Sequence, residues 1–158
     1  MIRIALVGLG KMGLSHLAMI RPHPRVELVA VCDTVGYVLD TLNKYTGVKT
    51  YTDYGKLLEQ ETLDAVLIAT PSKTHGSMVR AALERNLHVF CEKPFSLDPE
   101  EGLALAELAE ERGLVTQVGD LFSGGGAAAF AEAVEGARTG KQQIAPYQMG
   151  QAEIGIGL

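Results

Sequence analysis

Apolar residues fall in short runs along this chain, each bounded by glycine, proline or charge. The runs are Ile2 to Val7, Val26 to Cys32, Val48 to Tyr51, Asp64 to Ala69, Leu87 to Cys91 and Leu114 to Val118. All read as strands; Val26 to Cys32, nearly unbroken in apolar character, has the pattern of a strand covered on both faces, and Asp64 to Ala69 is the clearest buried strand. Between them lie segments of wider period that predict helices: Leu14 to Ile20, Val35 to Tyr45, Tyr54 to Gln60, a stretch ending near Arg85, and one opening at Pro99. Arg21-Pro22-His23-Pro24, Gly47, Asn86 and Gly113 stop them, because proline cannot continue a helix and glycine or asparagine accepts the left-handed turn past its end. Asp53 is placed to cap one helix. Asp98-Pro99-Glu100-Glu101 reads as a cap, a first-turn proline and a capping-box glutamate. Leu103, Ala106, Leu108 and Ala109 are expected to form the buried face of that helix.

Strand and helix alternating at short connections mean βαβ units, hence an α/β fold: a doubly wound parallel sheet of the Rossmann type, one domain with a short C-terminal appendage. Ligands of such sheets bind beyond the carboxyl ends of the strands. Gly8 to Gly13, Asp33, Thr70 to His75, Glu92 to Pro94 and Gly119 should therefore gather on one edge.

Gly8-Leu9-Gly10-Lys11-Met12-Gly13 stands where the first strand gives way to the first helix. Gly8 allows the sharp turn, Gly10 lets a pyrophosphate approach bare backbone, and Gly13 lets the helix lie close to the strand. The first helical N–H groups then point at the anion, with the positive end of the helix dipole behind them. Asp33 ends the second apolar run 20 residues after Gly13, where a carboxylate can hold both hydroxyls of an adenosine ribose. A chain with 18 glycines can also contain this spacing as a purely structural turn, but its strand–turn–helix setting favours a dinucleotide site.

The 158 residues suffice for one self-sufficient core. A formal charge of -5 argues against nucleic acid as a partner. The N-terminus enters a strand at once and Gly8 interrupts the apolar run, so neither a signal peptide nor a membrane span is expected, and a cytoplasmic protein follows. Cys32 and Cys91, each at the end of a predicted buried strand, read as reduced core thiols. His16, His23 and His88 read as structural or solvated; no two histidines have helical metal-ligand spacing, and no metal is expected.

In this order and spacing, Gly8 to Gly13, Ala69-Thr70-Pro71-Ser72 with His75, and Cys91-Glu92-Lys93-Pro94 resemble the N-terminal half of the glucose–fructose oxidoreductase, inositol dehydrogenase and MocA-like family, over about residues 1 to 119. The resemblance implies a nicotinamide-dependent oxidoreductase acting on a sugar, polyol or related hydroxyl compound. It makes Gly8, Leu9, Gly10, Lys11 and Met12 the pyrophosphate cradle and Asp33 the ribose clamp. A carboxylate there favours NAD over NADP, because it would meet a 2′-phosphate. Thr70, Pro71, Ser72 and His75 resemble the loop beside the middle of the cofactor. Glu92, Lys93 and Pro94 resemble the nicotinamide-side residues, with Lys93 as the family's catalytic lysine and Glu92 placed to hold it charged. Read without the resemblance, Lys93 is an exposed loop lysine, Lys11 a surface residue, and His75 a residue that packs at a helix start.

Members of the family usually carry a second domain that supports the substrate site and often a homo-oligomer. Here Asp120-Leu121-Phe122 runs into a Gly/Ala-rich linker over 120–129, and 130–158 is expected to form a helix and tail packed on the domain. This end reads either as a spliced family C-terminus or as an unrelated tail. The chain is expected to bind the cofactor and to be catalytically incomplete alone. The alternatives are a non-catalytic nucleotide-binding or assembly module, and a partner chain that supplies the second domain.

Overall fold

The structure is a computed structural model that describes residues 1–119 and 126–140. The linker residues 120–125 and the tail 141–158 lie outside the described residues. Six strands, β1 (Ile2–Val7), β2 (Val26–Cys32), β3 (Lys49–Tyr51), β4 (Ala65–Ile68), β5 (His88–Cys91) and β6 (Thr116–Val118), form one parallel sheet in the order β3-β2-β1-β4-β5-β6. Every residue of β4 and all of β1 except Arg3 are buried, which is why these strands read as unbroken apolar runs.

Alternate side chains enter two cores. Ala5, Val7, Val66, Ile68, Val89 and Cys91 pack beneath α3 (Tyr54–Gln60), α4 (His75–Leu83) and α5 (Pro99–Glu111). Ile4, Leu6, Ala65, Leu67 and Phe90 pack beneath α1 (Lys11–Ile20), α2 (Gly36–Thr46) and α6 (Ala127–Thr139). A register shift opposite Ile4 and Ala5 lets Val29 and Ala30, adjacent in sequence, face the same core.

The last helix completes the second face. α1 and α2 cover the β1–β2–β3 half, and Phe130, Ala131 and Val134 of α6, all buried, cover Leu67 and Phe90 on the other half. Arg138 fastens α6 to the Met1 carbonyl and to Asp64, each at 3.2 Å, and Glu132 accepts from Arg25 at 2.7 Å. The helix begins at Ala127, within the stretch expected as linker, because Ala127 to Ala129 are strong helix formers.

Local chemistry sets most boundaries. Asp53 accepts from the Lys56 N–H at 2.8 Å and Asp98 from the Glu100 N–H at 3.0 Å, so both caps form. Gly47 and Gly113 end their helices with positive φ. The capping box at Glu101 is indirect. The Ser96 hydroxyl accepts from the Asp98 N–H at 3.1 Å and donates to the Glu101 carboxylate, which lies against Gly76 of α4. On α5 the buried residues are Gly102, Leu105 and Ala109, whereas Leu103 is exposed. The expected face holds at Ala109 and Leu108 and fails at Leu103, because apolar residues occupy most of 103–109 and do not single out one side.

Candidate functional site

The carboxyl ends of β1 and β4 adjoin at the point where strand order reverses, and the glycine turn lies between them. Gly8 has φ +96°, and a Cβ on it would stand 2.5 Å from the Ala69 carbonyl oxygen. A Cβ on Gly13 would stand 1.9 Å from the Gly8 carbonyl oxygen, so α1 can begin against the turn only with glycine there. Gly10 differs from both: a Cβ on it would meet nothing within 4 Å. It is also the N-cap residue of α1, whose first turn has no side-chain cap and no acidic residue. The space beyond Gly10 is thus open and faced by helix-start backbone, a cradle that suits a pyrophosphate.

Asp33 follows β2 and turns toward this cradle. Its Oδ2 accepts from the Leu9 N–H at 2.6 Å and its Oδ1 from the Val35 N–H at 2.8 Å. The carboxylate therefore braces the glycine turn and the start of α2 at once, a contact the sequence spacing did not reveal. Each oxygen keeps a further lone pair, the requirement for holding ribose hydroxyls. Lys11 is exposed and Met12 half-buried at the start of α1.

The loop after β4 is tied internally. Thr74 donates to the Thr70 hydroxyl and the Pro71 carbonyl, both at 2.8 Å, through a 3-10 turn over Ser72–Thr74. His75 is 1% exposed, with Nδ1 2.7 Å from the Pro94 carbonyl oxygen and Nε2 2.8 Å from that of Thr70. Both nitrogens face carbonyl groups, so His75 joins the loops after β4 and β5 from behind.

At the end of β5 the pair Glu92 and Lys93 divides. Lys93 is exposed and is joined to Pro94 by a cis peptide. Glu92 is 8% exposed and turns inward, its Oε1 2.5 Å from Nε2 of the fully buried His16 on α1. The sequence offered Lys93 as the neighbour that Glu92 would serve; in the fold the Glu92 carboxylate meets His16. His16 was read from the sequence as structural or solvated, without a partner named for it. It sits in the buried stripe Gly13, His16, Leu17 and Ile20, and a polar residue in such a stripe was the available signal.

The two thiols near this edge are inert. Burial, with the Asp33 and Asp53 charges added, pushes Cys32 up to about 12, and burial raises Cys91 as well. Among the described residues no group of three His, Cys, Asp or Glu side chains could hold a metal ion. Nor is any described helix long and apolar enough to cross a membrane.

A doubly wound sheet with an open glycine cradle at its switch point and a carboxylate on the neighbouring strand end is a dinucleotide-binding Rossmann domain. The chain belongs to the GFO/IDH/MocA oxidoreductase family, whose NAD-binding Rossmann fold matches residues 2–120. It is 35% identical over 120 residues to scyllo-inositol 2-dehydrogenase (NAD(+)) of Bacillus subtilis, covering 75% of this chain and 35% of that protein. The scyllo-inositol dehydrogenase of Lactobacillus casei solved with NAD(H) and scyllo-inositol superimposes with a TM-score of 0.70 at 32% identity, over 75% of this chain and 36% of the other. The apo form of the Lactobacillus casei enzyme gives 0.72 at 30% identity, over 89% of this chain and 42% of the other. The chain thus spans little more than a third of the length of the first of these relatives.

Proposed function

We propose that this chain holds NAD at the carboxyl edge of its sheet and forms the cofactor half of an oxidoreductase acting on a polyol or sugar. The open cradle at Gly10, with Asp33 bonded to the Leu9 N–H beside it, carries this reading. Gly8, Leu9, Gly10, Lys11 and Met12 would form the pyrophosphate cradle, with the first N–H groups of α1 as donors, since those of Gly8 and Leu9 are given to the Cys32 carbonyl and to Asp33. Asp33 would hold the adenosine ribose and repel a 2′-phosphate. Thr70, Pro71 and Ser72 would flank the middle of the cofactor, with His75 fixing their loop. Glu92, Lys93 and Pro94 would stand at the redox end. When bound, the nicotinamide supplies the hydride acceptor. Lys93 hydrogen-bonds the reacting oxygen and carries the proton that leaves it. The inositol substrates of the relatives support a polyol as the substrate class.

We assign residues 1–119 to the cofactor domain and α6, Ala127–Thr139, to a segment that covers the sheet. The packing of Phe130 and Val134 supports that assignment, as does the wider match to the apo Lactobacillus casei enzyme. The free buried thiols of Cys32 and Cys91 fit a reducing, cytoplasmic compartment. One wall of a substrate site leaves water free to enter and a polyol poorly oriented, so turnover by this chain alone is expected to be slow or absent.

Calorimetric titration tests the reading. NAD should bind with a Kd in the micromolar to millimolar range, roughly -8 to -4 kcal/mol, and more tightly than NADP. Asp33→Ala should weaken NAD about tenfold or more and narrow the preference over NADP. No heat and no thermal shift with either nucleotide would overturn it.

A further inference from the structure

We propose that His16 is a positioning residue that sets the direction of Lys93 by holding Glu92. The inference rests on the reading of Lys93 as the redox-end lysine. His16 lies on the helix whose first turn faces the cradle, and Glu92 lies 76 residues away in the loop that carries Lys93. The 2.5 Å contact between Nε2 and Oε1 joins the two, with the side chains 0% and 10% exposed. This bond ties α1 to the loop that carries Lys93 and so links the two ends of the proposed cofactor site.

The surroundings argue for geometry over stability. His16 shares its stripe with Leu17 and Ile20 and packs edge-on against Phe90, 5.1 Å between ring centres. Phe90 in turn meets Phe130 of α6 at 5.9 Å. An apolar side chain would suit such a position, and replacing a buried polar pair by apolar groups is commonly neutral or stabilising. The histidine also leaves its buried Nδ1 without a protein partner, a cost that a leucine would avoid. The Nε2–Oε1 contact meets the Glu92 carboxylate inside the fold. Holding the Glu92 side chain inside the fold anchors the backbone directly before Lys93, which is itself exposed. Released, Glu92 can turn to solvent on the lysine's side and bring its charge to bear on the ammonium.

The test follows Lys93 by NMR of the chain with its lysines carrying 13C-methyl groups, the signal assigned through Lys93→Arg. In His16→Leu the Lys93 signal should move and its titration midpoint rise by about half a unit, as a nearby carboxylate favours the charged amine. His16→Gln, which keeps a side-chain N–H donor, should bring both back toward the wild-type values. Should His16→Leu fail to fold, His16→Asn, polar but too short to reach Glu92, takes its place. A Lys93 signal and midpoint unchanged in the folded variant would overturn the proposal, as would a shift that His16→Gln does not reverse. Calorimetry on the same samples separates the two readings: His16→Leu should bind NAD within about threefold of wild type, since the cradle is backbone. Failure of the wild-type chain to bind NAD would sink the nucleotide reading, while the Lys93 comparison, made without nucleotide, still decides the brace.

Discussion

The six strands are finished in opposite ways at their two ends. At the amino edge, side chains pair with side chains: Lys49 with Glu61 at 2.9 Å, Arg3 with Glu27 at 3.9 Å, Arg25 with Glu132 at 2.7 Å and Arg138 with Asp64 at 3.2 Å. A concavity of about 420 Å³ opens among Arg3, Arg21, Glu27, Lys49 and Glu61, and none of the glycine-turn residues lines it. At the carboxyl edge, beside the buried Glu92–His16 pair, side chains chiefly hold backbone: Asp33 takes the Leu9 and Val35 N–H groups, and His75 meets the Thr70 and Pro94 carbonyls. An edge whose side chains satisfy one another has little left for a ligand. An edge whose side chains shape a glycine turn leaves helix-start N–H groups and an open space. Concavity alone would have selected the amino edge.

The sharpest way to break this contrast lies at the turn itself. Gly13→Ala drives a methyl carbon into the Gly8 carbonyl, backbone against backbone, and should cost at least about 4 kcal/mol in a denaturant titration. A variant of nearly wild-type stability would show that the turn is not packed as described.

A smaller effect separates the edges by pH. His88 opens β5 at the amino edge, and burial holds its imidazole below its ordinary value of 6.5. The Tyr51 hydroxyl, 2.6 Å away, is the main reason Glu61 is held below the usual carboxylate range, with Lys49 adding to it. Both folded-state values are depressed, so the unfolded chain binds more protons as the pH falls. Their stabilisation is present above the unfolded values and is lost on acidification. The melting temperature should therefore hold steady from pH 8 to 7 and fall from about pH 6.5 downward, first through His88 and then through Glu61. His88→Gln should remove the first part of that fall, and a melting temperature that rises between pH 6.5 and 5.5 would contradict the assignment.

The smallest effect belongs to the exposed pairs. Arg25→Ala should change stability by less than about 1 kcal/mol and leave NAD affinity unaltered, read by thermal melts and calorimetry.

Most of the framework was legible because buried parallel strands advertise themselves as short apolar runs and helix caps act locally. Val26–Cys32 and Tyr54–Gln60 have the expected bounds, and Asp53 and Asp98 cap where their sequence positions place them. Legibility failed where a choice depends on tertiary contact. The buried side of α5 could not be chosen while apolar residues cover 103–106 and 108–109, and the packed structure selects Leu105 over Leu103. Glu92 has a cation beside it in sequence and a histidine 76 residues away in sequence, and the fold pairs it with the histidine. The glycine spacing marked the turn, but only the coordinates distinguish Gly8 and Gly13, which are hemmed by backbone, from Gly10, which opens on space.

That distinction supplies the most direct measurement. NAD is titrated into the 15N-labelled chain and into Gly10→Ala while the backbone amide signals are followed. The variant should fold with stability within about 1 kcal/mol of wild type, because the backbone at Gly10, with φ -66°, accepts a side chain. In the wild type the signals that move should cluster at Leu9 to Met12, Asp33, Thr70, Ser72 and Lys93, and Gly10→Ala should weaken binding about tenfold or more. Shifts centred on Arg3, Glu27 and Lys49, or equal affinity in the two proteins, would contradict the account.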